Sequence, residues 1–142
     1  MLYTSYLERV TACPFCKNRK EHILENKTAF LTFALAPYAP YHLLVVPKRH
    51  IDSFFNLTSA ENADISKLLT LGRLLLKKLG CHDFSILVRQ GEKSGKSISH
   101  LHYHLIPQHR IGDLDINADK RKLLTPLQVK KLIHTLSSAI KN

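Results

Sequence analysis

The chain has 142 residues, of which 44% are hydrophobic and 23% charged, so it suits one soluble domain and leaves no room for two independent cores. Its five Gly and six Pro are scattered, which excludes a repeat array or a disordered low-complexity chain. A formal charge of +10, from 21 basic and 11 acidic residues, draws anionic partners: nucleotides, nucleic acid or an acidic surface. The short clusters Lys17-Asn18-Arg19-Lys20 and Lys120-Arg121-Lys122 read as a solvated basic surface. No apolar run is long enough to span a bilayer, and no basic segment with an apolar run and cleavage site opens the chain. The expected location is cytoplasmic, with no membrane partner. There, three cysteines do not form a disulfide framework, and Cys81 reads as a small buried hydrophobe.

In chain order, Leu2 to Val10 has apolar residues at helical spacing and leads into the Cys13-Pro14-Phe15-Cys16 turn. Ala29 to Ala36 and Tyr41 to Val46 read as a hairpin-like pair of strands joined by Pro37-Tyr38-Ala39-Pro40. Thr58-x-x-Glu61 resembles a capping box. Behind it Ile65, Leu68, Leu69, Leu71, Leu75, Leu76 and Leu79 predict a long helix ending near Gly80, with the leucine stripe in the core. Phe84 to Arg89 is a third strand, the Gly91–Ser97 stretch a loop, and Ile98 to Ile106 a fourth strand. Thr125-Pro126 opens a final amphipathic helix. The expected fold is α+β, with an antiparallel sheet, one long central helix and flanking helices, over residues 1–142 as a single domain.

His100-Leu101-His102-Tyr103-His104 is the most informative segment. In a strand the three histidines share one face while Leu101, Tyr103 and Leu105 point into a core. Three imidazoles together are poorly explained as packing. Two chemistries can use them: ligation of one metal, or a neutral imidazole acting as nucleophile or base under the guidance of its neighbours. Spacing alone does not choose.

His100 to Ile106 resembles the His-φ-His-φ-His-φ-φ signature of the histidine triad (HIT) nucleotide hydrolases and transferases. The likeness extends to Gly95-Lys96-Ser97-Ile98-Ser99, to His42-Leu43-Leu44-Val45-Val46-Pro47-Lys48-Arg49-His50, and to the CxxC of Cys13 and Cys16, as in many bacterial members. The resemblance implies that His102 attacks the α-phosphorus of a nucleotide and is then released from the nucleotide by water. It implies that the His100 carbonyl orients His102, and that His104 and His42 assist proton transfer and charge stabilisation. Ser97 would offer a hydroxyl. Cys13, Cys16, His50 and His100 would hold a structural zinc ion, and the protein would be a homodimer. A third histidine rather than glutamine disfavours the hexose-1-phosphate uridylyltransferase type.

Three positions depart from the pattern. Ala34 stands where the family commonly holds the ribose, Lys96 where it has glutamine, and Arg89 where an amide is frequent. The two cations suggest substrate contacts and a more highly charged polyphosphate chain. The expected activity is cleavage of a purine nucleoside phosphoramidate, an adenylylated adduct or a dinucleoside polyphosphate. The competing readings are a metal-dependent phosphohydrolase and a non-catalytic basic module for nucleotides or nucleic acid. Nucleic acid is the less favoured partner.

Overall fold

The computed structural model describes residues 1–17, 21–110, 112 and 120–142. Its strands are β1 (Leu24–Glu25), β2 (Ala29–Phe33), β3 (Leu43–Pro47), β4 (Phe84–Val88) and β5 (Tyr103–Pro107). They form one antiparallel sheet in the order β1-β2-β3-β5-β4. The helices are α1 (Tyr3–Leu7), α2 (Pro14–Lys17), α3 (Ser59–Lys78) and α4 (Pro126–Lys141). This is the α+β architecture expected.

Every residue of β2 and β3 is buried. That is why both segments read as continuous apolar runs rather than alternating ones: each face of the sheet is covered. Leu31, Leu43, Val45 and Leu105 pack with Ile65, Leu68, Leu75 and Leu76 of α3 in the main core. Phe30, Ala34, Leu44 and Val46 form a second cluster on the opposite face, capped by Phe15. The two faces follow from residue parity.

α3 starts where its capping box requires. Thr58 Oγ1 accepts from the Glu61 N–H and Glu61 Oε1 accepts from the Thr58 N–H, both at 3.1 Å. Midway, Gly72 lets the helix lie close on the sheet; a Cβ there would stand 2.6 Å from Leu105 Cδ1. Not all of the leucine stripe is core, however. Leu71 is 45% exposed, because it lies off the arc defined by Ile65, Leu68, Gly72, Leu75 and Leu76. α4 begins with its own capping box, Thr125 with Gln128, and buries Leu136. No described helix is long and apolar enough to cross a membrane.

The fourth predicted strand is shorter than expected. β5 covers Tyr103–Pro107 instead of Ile98 to Ile106, so His100 and His102 lie in the segment entering it. The β3–β5 register pairs Val45 with Tyr103, and one step further would set Leu101 opposite Pro47, which has no N–H to give. The chain turns away instead, and the Leu101 N–H donates to the Ile51 carbonyl at 2.7 Å. Leu101 is still fully buried. The alternation nevertheless persists: Leu101, Tyr103 and Leu105 enter the α3-side core, while His100 and His102 both lie against Phe15 on the other face, with His104 beside His102. Cys81 is buried, as expected, and burial pushes its thiol pKa up.

Candidate active site

The sheet face opposite α3 floors a pocket. Phe30, Thr32, Ala34 and Leu44 line it, together with His42 just before β3, His102 just before β5 and His104 on β5. The walls come from Tyr3, Tyr6 and Phe15 of α1 and α2, from the loop carrying Arg89, Lys96 and Ser97, and from Arg121. α1 is tied to the segment holding Arg121. The Tyr3 N–H donates to the Arg121 carbonyl and the Leu123 N–H to the Met1 carbonyl, each at 2.9 Å.

Hydrogen bonding assigns the imidazole tautomers. The Tyr38 N–H donates to His42 Nδ1 at 3.2 Å, so Nδ1 is an acceptor and the His42 proton sits on Nε2. That proton is donated to His104 Nδ1 at 2.9 Å, which leaves the His104 proton on its own Nε2. His102 Nδ1 lies 2.8 Å from the His100 carbonyl, which can only accept. The His102 proton is thus on Nδ1, and its Nε2 keeps a lone pair.

All three rings are held neutral. Burial, followed by the charge of Arg121, lowers the His42 pKa from 6.5 to about 3. Burial lowers that of His102 to about 4, with the nearby Lys96 and Arg89 adding to it and the His100 carbonyl opposing it. His104 falls well below 6.5, again chiefly from burial.

Ser97 Oγ is 2.9 Å from the Tyr3 hydroxyl. Lys96 and Arg89 both line the pocket, with Lys96 Nζ bonded to the Asp52 carbonyl and Arg89 Nη1 to that of Ser94. Gly95, in the left-handed region at φ 84°, passes so close to Arg89 that a Cβ would meet Nη1 at 2.6 Å. Ala34 offers the wall no polar side chain.

Two readings need correction. Arg121 does not join Lys120 and Lys122 on a solvated face: it is partly buried while both lysines are exposed, because the backbone pairing around Leu2 and Lys122 turns alternate side chains inward. His22, which has no motif around it and so reads from the sequence as an incidental surface residue, stacks on Phe30 with ring centroids 3.7 Å apart. Tyr3, Tyr6, Tyr38 and Phe15 were also missed. The spacing of Tyr3 and Tyr6 marks one helix face, but nothing in the sequence says what that face covers.

The remaining predicted residues converge beside the pocket. Donor atoms of Cys13, Cys16, His50 and His100 all lie within 4.8 Å of one another. His100 Nδ1 is 3.3 Å from Cys13 Sγ and 3.5 Å from Cys16 Sγ, and His50 Nδ1 is 3.3 Å from Cys16 Sγ. His100 Nε2 donates to the Pro47 carbonyl at 2.7 Å, so its Nδ1 lone pair faces the thiols. A ring nitrogen aimed at ligand atoms, with the other bonded to a backbone carbonyl, is the usual support for a metal ligand. This donor set can hold a metal ion. Arg49 steadies the neighbouring backbone, reaching Glu61 Oε1 at 2.7 Å and the Asn56 carbonyl at 2.9 Å.

Residues 17–111 match the HIT domain family model, and the chain belongs to that family. It is 28% identical to the adenosine 5'-monophosphoramidase of Schizosaccharomyces pombe, over 92% of this chain and 99% of that one. It is 30% identical to the bis(5'-adenosyl)-triphosphatase of Saccharomyces cerevisiae, over 68% of this chain and 48% of that longer one. A histidine triad nucleotide-binding protein of Sulfolobus tokodaii shares the fold, with a TM-score of 0.75 at 24% identity over 92% of this chain and 93% of that one. A zinc-bound histidine triad protein of Mycobacterium smegmatis superposes with a TM-score of 0.62 at 17% identity, over 96% and 90%.

Proposed function

We propose that this protein hydrolyses a nucleotide derivative through a nucleotidyl-His102 intermediate. The observation that carries the reading is the 2.8 Å contact between His102 Nδ1 and the His100 carbonyl, which commits the Nε2 lone pair to attack. A bond forms from Nε2 to the substrate phosphorus as the bond to the leaving group breaks. The positive charge that develops on the ring is stabilised at Nδ1–H by the carbonyl. His104 Nε2–H, kept protonated by the Tyr38–His42 relay, serves the phosphate or the leaving group, and Ser97 adds a hydroxyl steadied by Tyr3. Water then attacks the phosphorus, the P–N bond breaks, and the nucleoside monophosphate leaves with neutral His102 restored.

The substrates are purine nucleoside phosphoramidates, adenylylated adducts or dinucleoside polyphosphates. The fungal relatives named as an adenosine monophosphoramidase and a diadenosine triphosphatase support this class. Against a catalytic metal site stands the division of the histidines. Among the described residues only Cys13, Cys16, His50 and His100 group as ligands, while His42 and His104 spend nitrogens on each other.

Those four ligands suit structural zinc, a closed Cys₂His₂ set that supplies folding energy when filled. A cytoplasmic location, where thiols stay reduced, suits that donor set. We also propose a homodimer. The exposed Leu71 and Leu74 on α3, and Phe84 and Ile86 on the edge strand β4, offer an apolar face.

The test is AMP release from adenosine phosphoramidate and diadenosine triphosphate by the wild type and by His102→Ala. A loss of at least about a thousand-fold in the variant is expected. Equal activity in both would remove His102 from the chemistry.

A further inference from the structure

One cation of the pocket wall has no part in the scheme above. The guanidinium carbon of Arg121 lies 4.3 Å from the ring centroid of Tyr3 and 3.9 Å from that of Tyr38. Its Nη1 donates to the Ala36 carbonyl at 3.1 Å. Two rings and a carbonyl thus fix a long side chain that would otherwise sample many rotamers. The backbone that delivers it is held as well. The Tyr3 N–H donates to the Arg121 carbonyl at 2.9 Å, and the Leu124 N–H to the Leu35 carbonyl at 2.7 Å.

From Arg121 a row of rings leads to the reacting histidine. Tyr38 and His42 have centroids 5.7 Å apart, His42 and His104 5.1 Å, and His104 and His102 4.7 Å. Arg89 and Lys96 enter from a different element, the loop after β4. Their charges bear on His102 and that of Arg121 on His42, while Arg89 and Arg121 reach His104 from either side. The histidines therefore stand between two separate cationic walls. Against these three cations the described lining of the pocket sets one carboxylate, Glu21. A substrate with a single phosphate meets one wall; a phosphate chain, charged at every link, can meet both. The planar fork of arginine suits phosphate oxygens, and aromatic contacts hold that fork in place.

We propose that Arg121 is a specificity-determining contact for a non-reacting phosphate, selecting polyphosphate-bridged nucleotides over single-phosphate substrates. The proposal rests on the hydrolase reading but is separable from it. Its variants are Arg121→Gln, which keeps a donor for the Ala36 carbonyl, and Arg121→Lys, which keeps the charge without the fork.

The kinetic readout is kcat/KM for diadenosine triphosphate divided by that for adenosine phosphoramidate. This ratio should fall about 10- to 100-fold in Arg121→Gln, mostly through KM, with partial recovery in Arg121→Lys. Equal losses on both substrates would reduce Arg121 to a prop for the wall, and an unchanged ratio would give it no role in selection; either overturns the proposal. The second readout is calorimetric binding of inorganic tripolyphosphate and orthophosphate, which needs no turnover. The wild type should prefer tripolyphosphate, and Arg121→Gln should lose that preference; a wild type without it overturns the proposal. If the preference is present and lost as expected but no nucleotide is turned over, the Arg121 assignment stands and the hydrolase reading fails.

Discussion

A backbone N–H and two carbonyls set the orientations of three site histidines, and His42 in turn sets His104. The Tyr38 N–H sets His42, the His100 carbonyl sets His102, and the Pro47 carbonyl sets His100. Neutrality is kept by burial, which has a measurable consequence. His42 faces Arg121, His102 and His109, and His104 faces His42, His102, Arg89 and Arg121, so neither gains a carboxylate partner for a proton. Their native pKa values lie below the 6.5 of a solvated imidazole, that of His42 at about 3. On acidification the unfolded chain takes up these protons near that ordinary value while the native chain refuses them. Stability is therefore full above about pH 6.5 and declines as pH falls toward 4, by roughly 1 kcal/mol per pH unit for each histidine. Urea unfolding at pH 7, 6, 5 and 4 checks this. A flat profile across that range would show that these rings titrate as if in water.

At the scale of elements, the histidine segment shows what the sequence made legible and what it did not. The motif located the histidines, and period-2 alternation placed all of them on one face. That alternation holds although the paired strand stops short, because Pro47 cannot extend the ladder; along the shared face His100 meets the thiols while His102 and His104 line the pocket. The long helix and its cap were legible because Thr58 and Glu61 stand only three residues apart; so was the hairpin of β2 and β3. β1 was not, since two residues carry no pattern. Arg121 was hidden for a different reason: its orientation depends on pairing with residues 118 to 119 positions away, around Leu2 and Tyr3. The ligand cluster joins α2, the end of β3 and the segment entering β5, so a bound metal should weld three elements. Cys13→Ser, or removal of the metal by a strong chelator, is expected to lower the melting temperature by on the order of 10 °C. Calorimetry with parallel metal analysis reads this; equal melting with no zinc in the purified protein would discard the metal.

At the scale of the whole molecule, the sheet divides its labour between two faces. One packs α3 and supplies the main core; the other carries the chemistry under α1, α2 and the segment of Arg121. β4 stays an edge, with Phe84 37% and Ile86 46% exposed, and the exposed Leu74 of α3 extends the apolar surface. Pairing of two copies through this face predicts that Ile86→Lys shifts the protein from dimer to monomer in sedimentation velocity, with a native circular dichroism spectrum. A wild type that sediments as a monomer at tens of micromolar would refute the pairing.

His100 makes its two sets of contacts with different parts of itself: its ring meets the thiols, while its main-chain oxygen holds the His102 ring. An alanine scan would score only the first. Every substitution at position 100 retains a carbonyl, so the share of catalysis proposed for it is written into the path of the chain rather than the identity of the residue. Only an edit to the backbone itself, such as replacing that amide by an ester or thioamide through semisynthesis, could bring it into view.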